Sequence, residues 1–259
     1  MCTVSWAATA EGYELFCNRD ERRTRAAAQS PTVRGSRGVR FLAPTDAEAG
    51  GTWIAANEFG LTLCLLNRYT GGESQAAGEF RSRGLLLPEL ASLRDTAEVM
   101  RAVECGSLSQ FRPFTLLALA PGAPPAAACW TGRRLLVCEE DGDPLMPLTS
   151  SSFNSNEVVR ERMKFFRGMT AGHPSPAAEL LTRFHHSHEP EPGPSSVCMH
   201  RPDASTVSFS RVKVSPVSIE FYYQPGPPCA GARGLSVSLQ RSAGRLEASR
   251  WNRSGEAFI

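Results

Sequence analysis

Alternating apolar and polar positions predict two β-hairpins in the first quarter of the chain. Residues 3–8 form an apolar run, and a turn at 10–12 separates it from a second run at 13–17. This arrangement is typical of two strands joined by a short loop. A second hairpin is predicted from the runs at 53–56 and 61–67.

The remaining segments alternate between helical and strand patterns. Helices are predicted at 83–104 (interrupted by Pro88), 157–168 and 176–184. Further strands are predicted at 114–120, 126–130, 135–139, 206–214 and 218–223. Residues 22–50 have little periodicity and are predicted as a long loop, and residues 224–259 are weakly patterned. Because many hairpins imply antiparallel sheets and intervening helices imply outer layers, the order predicts an α+β fold of two stacked sheets flanked by helices.

The composition is that of a soluble globular protein and argues against several classes of function. The chain has 259 residues, of which 41% are hydrophobic and 21% charged, and we expect one domain over 1–259. The net charge of +2, from 28 basic and 26 acidic residues, leaves no electrostatic footprint for nucleic acid. The longest apolar runs are too short to span a bilayer. No secretory signal is visible, so a cytoplasmic location is expected, and no pattern indicates an oligomeric state.

Thiol and imidazole groups are the candidates for metal chemistry. The eight cysteines are scattered without a C-x-x-C pair, so neither a zinc ribbon nor a disulfide scaffold is predicted. One later cluster has donors that suit zinc or haem, and its members are His185, His186, His188, Cys198 and His200. Its irregular spacing in a Pro/Glu-rich stretch favours a surface loop. We therefore predict no metal and no other cofactor, and metal analysis of untagged protein would decide.

Cys2 stands out among the cysteines because of its position. Removal of Met1, which requires a small second residue such as cysteine, leaves a residue that carries both a thiol and a free α-amine. The amine has a pKa of roughly 8 and can act as the base for the nucleophile. Arg19 and Asp20 end the partner strand of the first hairpin, where a cation would activate the thiol and a carboxylate would orient the amine. On these residues alone, a solvated turn at 18–21 is the alternative.

Six segments occur in order along the chain: MCTVSW, LFCNRDER, GGTWIAAN, LCLLNRY, SSFNSNEVVRERMKFF and VCMHRPDASTVSFSRVKV. Together they resemble the NRDE family, which is named for the Asn-Arg-Asp-Glu string at 18–21 and includes the eukaryotic transport and Golgi organisation proteins. The resemblance extends from Met1 to about Cys229. It implies a four-layer αββα sandwich of the N-terminal-nucleophile hydrolase type, distantly similar to choloylglycine hydrolases and penicillin V acylases, which cleave linear amide bonds with an N-terminal cysteine.

The resemblance also implies roles for individual residues. Cys2 matches the nucleophile, and Arg19 and Asp20 match an arginine and an aspartate beside it, although here the two are adjacent. Asn154 and Asn67 match residues that bind the oxyanion. The final arginine of the hydrolase pattern has Arg211 as a candidate.

Two further predictions concern the substrate. Trp53 is a candidate for lining the substrate pocket, with core packing as the alternative. Arg22, Arg23 and Arg25 follow the motif and are interpreted as a solvated loop, with binding of an acidic group of the substrate as the alternative. The predicted function is hydrolysis of a linear amide or related acyl bond in a small-molecule substrate. The alternative is a non-catalytic protein on the same fold that handles lipid, coenzyme A or haem, or acts in trafficking.

Overall fold

The computed structural model describes residues 2–69, 80–139, 146–173 and 176–242, and two antiparallel sheets form its centre. Within these residues, the first sheet has six strands, in spatial order β10 (Leu148–Thr149), β1 (Cys2–Thr9), β2 (Gly12–Arg22), β11 (Ala204–Val214), β12 (Ser218–Pro225) and β13 (Leu235–Gln240). The second sheet has seven, in the order β3 (Gln29–Ser36), β4 (Val39–Thr45), β5 (Ile54–Asn57), β6 (Thr62–Asn67), β7 (Phe114–Leu119), β8 (Ala126–Trp130) and β9 (Leu135–Glu139).

Helices cover the outer face of each sheet. Helices α1 (Leu86–Leu90) and α2 (Thr96–Cys105) share a buried apolar cluster with β6, β7 and β8. Helices α3 (Ser155–Thr170) and α4 (Ala178–His186) share another with β1, β2 and β11. A third cluster fills the space between the sheets. The result is the predicted four-layer αββα sandwich. No helix in the part of the chain that the structure describes is long and apolar enough to cross a membrane.

The alternation along β1 and β2 decides which side chains reach the space between the sheets. Cys2, Val4 and Trp6 belong to the inter-sheet core, whereas Ser5 hydrogen-bonds to His185 of α4 in the helix layer. Successive residues of a strand point to opposite faces. This period of two therefore separates neighbouring residues of the sequence into two different environments.

The predicted long loop at 22–50 is wrong, because most of it forms the hairpin of β3 and β4. Ser36 pairs with Val39 across a two-residue turn, and both turn residues, Arg37 and Gly38, have positive φ values of 49° and 80°. Such turns favour glycine and asparagine, so Arg37 hides the signal. β3 is the edge of its sheet and is mostly exposed, so its sequence carries little apolar alternation. β13, in the weakly patterned region, is likewise mostly exposed.

Candidate active site

Cys2 lies at the start of β1, where three strands fix its position. It pairs directly with Arg19 on β2, as the predicted hairpin requires. On the other side, the Cys2 backbone nitrogen donates to Ser150 Oγ at 3.2 Å, and the Cys2 carbonyl accepts from the Ser150 backbone nitrogen at 3.0 Å. The residue is only 5% exposed. Its nitrogen is a peptide nitrogen because Met1 precedes it, and Met1 itself lies outside the described residues.

A pocket of about 150 Å³ opens beside Cys2 between the ends of the two sheets. Its wall contains four of the six predicted site residues, together with ten others. The lining residues are Cys2, Arg19, Glu21, Arg25, Asp46, Ala49, Gly51, Thr52, Trp53, Leu65, Asn67, Ser82, Arg83 and Gly84. The predicted residues absent from this wall are Asp20 and Asn154.

Two arginines and two carboxylates form an ion-pair network in the pocket wall. Asp46 accepts from Arg19 at 2.5 Å and from Arg25 at 2.7 and 2.8 Å, and Glu21 lies 3.6 and 3.7 Å from the same two arginines. Burial alone would raise the pKa of Asp46, but the bonds from Arg25, the Ala49 backbone nitrogen and Arg19 lower it to about 2. The interpretation of Arg25 as a solvated loop residue is wrong, since it is paired in the pocket.

Trp53 combines the two roles considered for it. It is 6% exposed and belongs to the inter-sheet core, yet it also lines the pocket. The Arg19 guanidinium carbon lies 4.3 Å from the centre of its ring, a cation–π geometry. Within the described part of the chain, the buried Trp53 Nε1 has no hydrogen-bond partner. The tryptophan therefore holds Arg19 against the pocket wall.

Arg83 is a third arginine of the pocket, and no local pattern in the sequence indicates its role. It begins a short 3₁₀ helix (Arg83–Leu85) and donates to the Pro113 carbonyl at 2.9 Å. Burial, together with the neighbouring Arg112, lowers its pKa. No carboxylate among the described residues lies within ion-pair distance of it. The backbone of Gly84 packs closely against that of Thr52, since a Cβ at residue 84 would lie only 2.9 Å from the Thr52 carbonyl oxygen. This contact, which requires a glycine, brings the neighbouring Arg83 to the pocket.

The Cys2 thiol is a weak acid in the chain that retains Met1. A hydrogen bond with Cys17 and then burial raise its pKa well above the usual value. Cys17 lies on β2 opposite Val4, diagonal to Cys2 in the same core cluster. Arg19, the predicted activating cation, is engaged by Asp46, Glu21 and Trp53. The thiol is therefore protonated at neutral pH in this form.

Asp20 lies on the opposite face of β2 from the pocket. It is fully buried and accepts from both terminal nitrogens of Arg162 at 3.3 Å and from Thr206 Oγ1 at 2.7 Å. Arg162 is 1% exposed and lies on the buried face of α3, together with Val158 and Phe166. Because adjacent strand residues face opposite ways, the carboxylate of β2 that shares the pocket with Arg19 is that of Glu21.

The two asparagines occupy different environments. Asn67 ends β6, lines the pocket and donates to the Tyr69 hydroxyl at 3.1 Å. Asn154 precedes α3 in a left-handed conformation, with its exposed amide 3.4 Å from Glu157 Oε2. Arg211 also lies away from the pocket, because it pairs with Glu14 and its guanidinium contacts the ring of Phe16, on the face of β2 that packs against the helices.

The sandwich and the cysteine at its first strand define a protein with the N-terminal-nucleophile hydrolase fold. The chain is similar in structure to the C2A mutant of conjugated bile acid hydrolase from Clostridium perfringens, with a TM-score of 0.57, 11% identity and 92% of each chain covered. It is also similar to penicillin V acylase from Agrobacterium tumefaciens, with a TM-score of 0.55, 10% identity and coverage of 92% of this chain and 86% of that one. For the Caenorhabditis elegans ortholog of N-acylethanolamine-hydrolyzing acid amidase, the TM-score is 0.56 at 10% identity, with 82% of this chain and 92% of that chain covered.

The sequence itself places the chain in one family. The family model described as Transport and Golgi organisation 2 matches residues 1–170, so the chain belongs to this family. This confirms the resemblance to the family that the ordered motifs within residues 1–170 indicate. No curated protein sequence matches the chain.

Proposed function

We propose that the protein is an N-terminal cysteine hydrolase that cleaves a linear amide or related acyl bond of a small molecule, with Cys2 as nucleophile after Met1 is removed. The observation that carries the proposal is the position of Cys2 at the first residue of β1, in the pocket wall and paired with Arg19. The similar structures, named as a hydrolase, an acylase and an amidase, support the same class of reaction.

Removal of Met1 changes the chemistry of Cys2 in this proposal. The peptide nitrogen becomes an α-amine with a reference pKa of roughly 8, held by the bond to Ser150 Oγ. Its positive charge beside the thiol lowers the thiol pKa. Asp20 lies on the other face of β2, and its negative charge raises the pKa of the Cys2 thiol.

The proposed reaction has two halves. The thiol proton passes to the α-amine, the sulfur attacks the carbonyl carbon, and the C–N bond breaks as the ammonium returns a proton to the leaving amine. Water then hydrolyses the thioester and restores the thiol. The Asn67 side-chain amide, in the pocket wall, donates to the oxyanion, a contribution of roughly 3–4 kcal/mol for one such donor. Asn154, which is exposed and outside the lining, would need a loop movement to share this role.

The charges of the pocket indicate the class of substrate. Arg19 and Arg25 are paired with Asp46 and Glu21, whereas Arg83 donates to the backbone carbonyl of Pro113 and to no carboxylate among the described residues. A carboxylate or another anionic group of the substrate would complete that arginine, as a charge-assisted hydrogen bond. We therefore propose a small substrate with an acidic group.

Intact mass and active-site labelling test the proposal. Purified protein should lack Met1, and an electrophilic acyl probe should label Cys2 in preference to the other cysteines. Cys2→Ala should abolish this label, whereas Cys105→Ala, at an exposed cysteine of α2, should retain it. Retention of Met1, or labelling that is unchanged in Cys2→Ala, contradicts the proposal. Hydrolysis is then measured with N-acyl amides and thioesters, and ligand retention without turnover would favour the lipid, coenzyme A or haem-handling alternative.

A further inference from the structure

Four side chains with metal-binding donors converge on the far side of the first sheet from the pocket. They are His188, Cys198, His200 and Cys229, and their donor atoms all lie within 4.8 Å of one another. Only three of them belong to the cluster considered from the sequence. His185 and His186 take other partners, Ser5 Oγ and the Thr182 carbonyl, both at 2.8 Å.

Three of the six distances among the four donor atoms, those from His200 Nε2, match the edges of a tetrahedral zinc site. With Zn–N near 2.05 Å and Zn–S near 2.3 Å, tetrahedral angles require about 3.3 Å between two nitrogens and about 3.6 Å between nitrogen and sulfur. His200 Nε2 lies 3.2 Å from His188 Nε2, 3.6 Å from Cys198 Sγ and 3.4 Å from Cys229 Sγ. These three distances therefore agree with the ideal values to within about 0.2 Å, and the other three donor pairs lie within 4.8 Å.

Hydrogen bonds alone do not account for this arrangement. One imidazole nitrogen has either a single proton or a single lone pair, yet His200 Nε2 faces three polar atoms at once. A cation at the centre would satisfy the four donors together. Two thiolates also neutralise the charge of Zn²⁺, which suits a cluster that ranges from the buried Cys198 to the exposed Cys229.

We propose that His188, Cys198, His200 and Cys229 form a structural Zn²⁺ site of the Cys₂His₂ type. Nothing on the active-site face is needed for it, so it stands independently of the proposed hydrolase function. Four protein ligands leave no open position for a substrate, which makes the site structural.

A zinc ion at this site would connect three segments of the chain that lie next to the first sheet, the sheet that carries Cys2. His188 follows α4, Cys198 and His200 precede β11, and Cys229 lies in the 3₁₀ turn Pro228–Ala230. Between the ligands, the Met199 backbone nitrogen donates to Thr206 Oγ1 at 2.8 Å, and that hydroxyl donates to Asp20. Zinc at this position therefore stabilises the loop that covers Asp20.

Metal content of untagged, reduced protein tests the site directly. We expect about one zinc per chain by mass spectrometry of the metal, and a Co²⁺-substituted sample should show tetrahedral d–d bands with thiolate charge transfer. Cys229→Ser should lose most of the zinc and the charge-transfer intensity of one thiolate. Cys229 is exposed, so this variant should fold. Cys105→Ser, at another exposed cysteine, should keep both signals, and so should Cys2→Ala.

A variant at a second ligand tests whether the loss of zinc in Cys229→Ser comes from the missing ligand and not from a change elsewhere in the protein. His188→Ala, at a half-buried position, should also release zinc, whereas His186→Ala should not, because His186 binds the Thr182 carbonyl instead. Wild-type protein that binds no more zinc or cobalt than Cys229→Ser overturns the proposal. A Cys198–Cys229 disulfide in metal-free protein, which cannot be loaded after reduction, overturns it as well.

Discussion

The buried pair of Asp20 and Arg162 predicts a large loss of stability when the arginine is removed. The two side chains are 0% and 1% exposed, and Arg162 also donates to Thr3 Oγ1 at 2.8 Å, Thr149 Oγ1 at 3.1 Å and the Pro194 carbonyl at 3.2 Å. Arg162→Leu leaves a buried carboxylate without its counter-ion. Removing one partner of such a pair costs about 3–5 kcal/mol.

Urea unfolding followed by circular dichroism measures this loss. With a slope of roughly 2–3 kcal/mol per molar urea for a chain of this size, the midpoint should fall by about 1–2.5 M. The matched control is Arg160→Leu on the same helix, where the side chain is 72% exposed and the change should be within about 0.5 kcal/mol. Asp20→Asn in the Arg162→Leu background should recover about 1–3 kcal/mol, because it removes the uncompensated charge. A midpoint for Arg162→Leu that equals the Arg160→Leu value refutes the reasoning.

Three further predictions address the pocket. The pKa of Asp46 is lowered to about 2 in the folded protein, so its ionised form contributes on the order of 2 kcal/mol to the free energy of unfolding above pH 4, and this contribution is lost as the pH falls toward 2. In urea unfolding, the difference in stability between wild type and Asp46→Asn should therefore shrink between pH 4 and pH 2. A difference that stays constant contradicts this prediction. Arg83→Ala should raise KM for an acidic substrate about 10-fold or more, with little change for a neutral analogue; an equal change for both argues against an anion site. Cys17→Ala should lower the pKa of the Cys2 thiol, because the hydrogen bond with Cys17 is the largest cause of the raised pKa. Labelling of Cys2 by iodoacetamide should then reach half its maximal rate at a lower pH in this variant than in the control variant Cys105→Ala. The same midpoint pH in both variants contradicts the prediction.

The hairpin next to the candidate nucleophile could be predicted because its information is local. Apolar alternation and a short turn set the pairing of β1 with β2, and the register then brings Arg19 opposite Cys2. The cap of α2 depends on local sequence in the same way, because Asp95, directly before the helix, accepts from the Glu98 backbone nitrogen. Such features depend on a few consecutive residues.

The rest of the pocket could not be predicted because its residues come from distant segments. Asp46 follows β4, in a region without periodicity, and Arg83 begins a 3₁₀ helix after a polar stretch. The sequence around Asp46 and Arg83 contains no pattern that indicates their place in the same pocket wall as Cys2. The same is true of Cys229, which lies 29 residues after His200 and completes the cluster only through the path of β11 and β12.

The Asn-Arg-Asp-Glu string acquires a physical meaning from the pleat of β2. Its second and fourth residues, Arg19 and Glu21, line the pocket, whereas Asn18 and Asp20 face the helix layer. Asn18 Nδ2 donates to the His185 and Val197 carbonyls at 2.8 and 2.9 Å, and Asp20 holds Arg162 of α3. One half of the string therefore builds the candidate site, and the other half fixes the helices and the 187–203 loop against the strand that carries it. Substitutions at Asn18 and Asp20 should consequently act through stability, while those at Arg19 and Glu21 should act on the chemistry of the pocket.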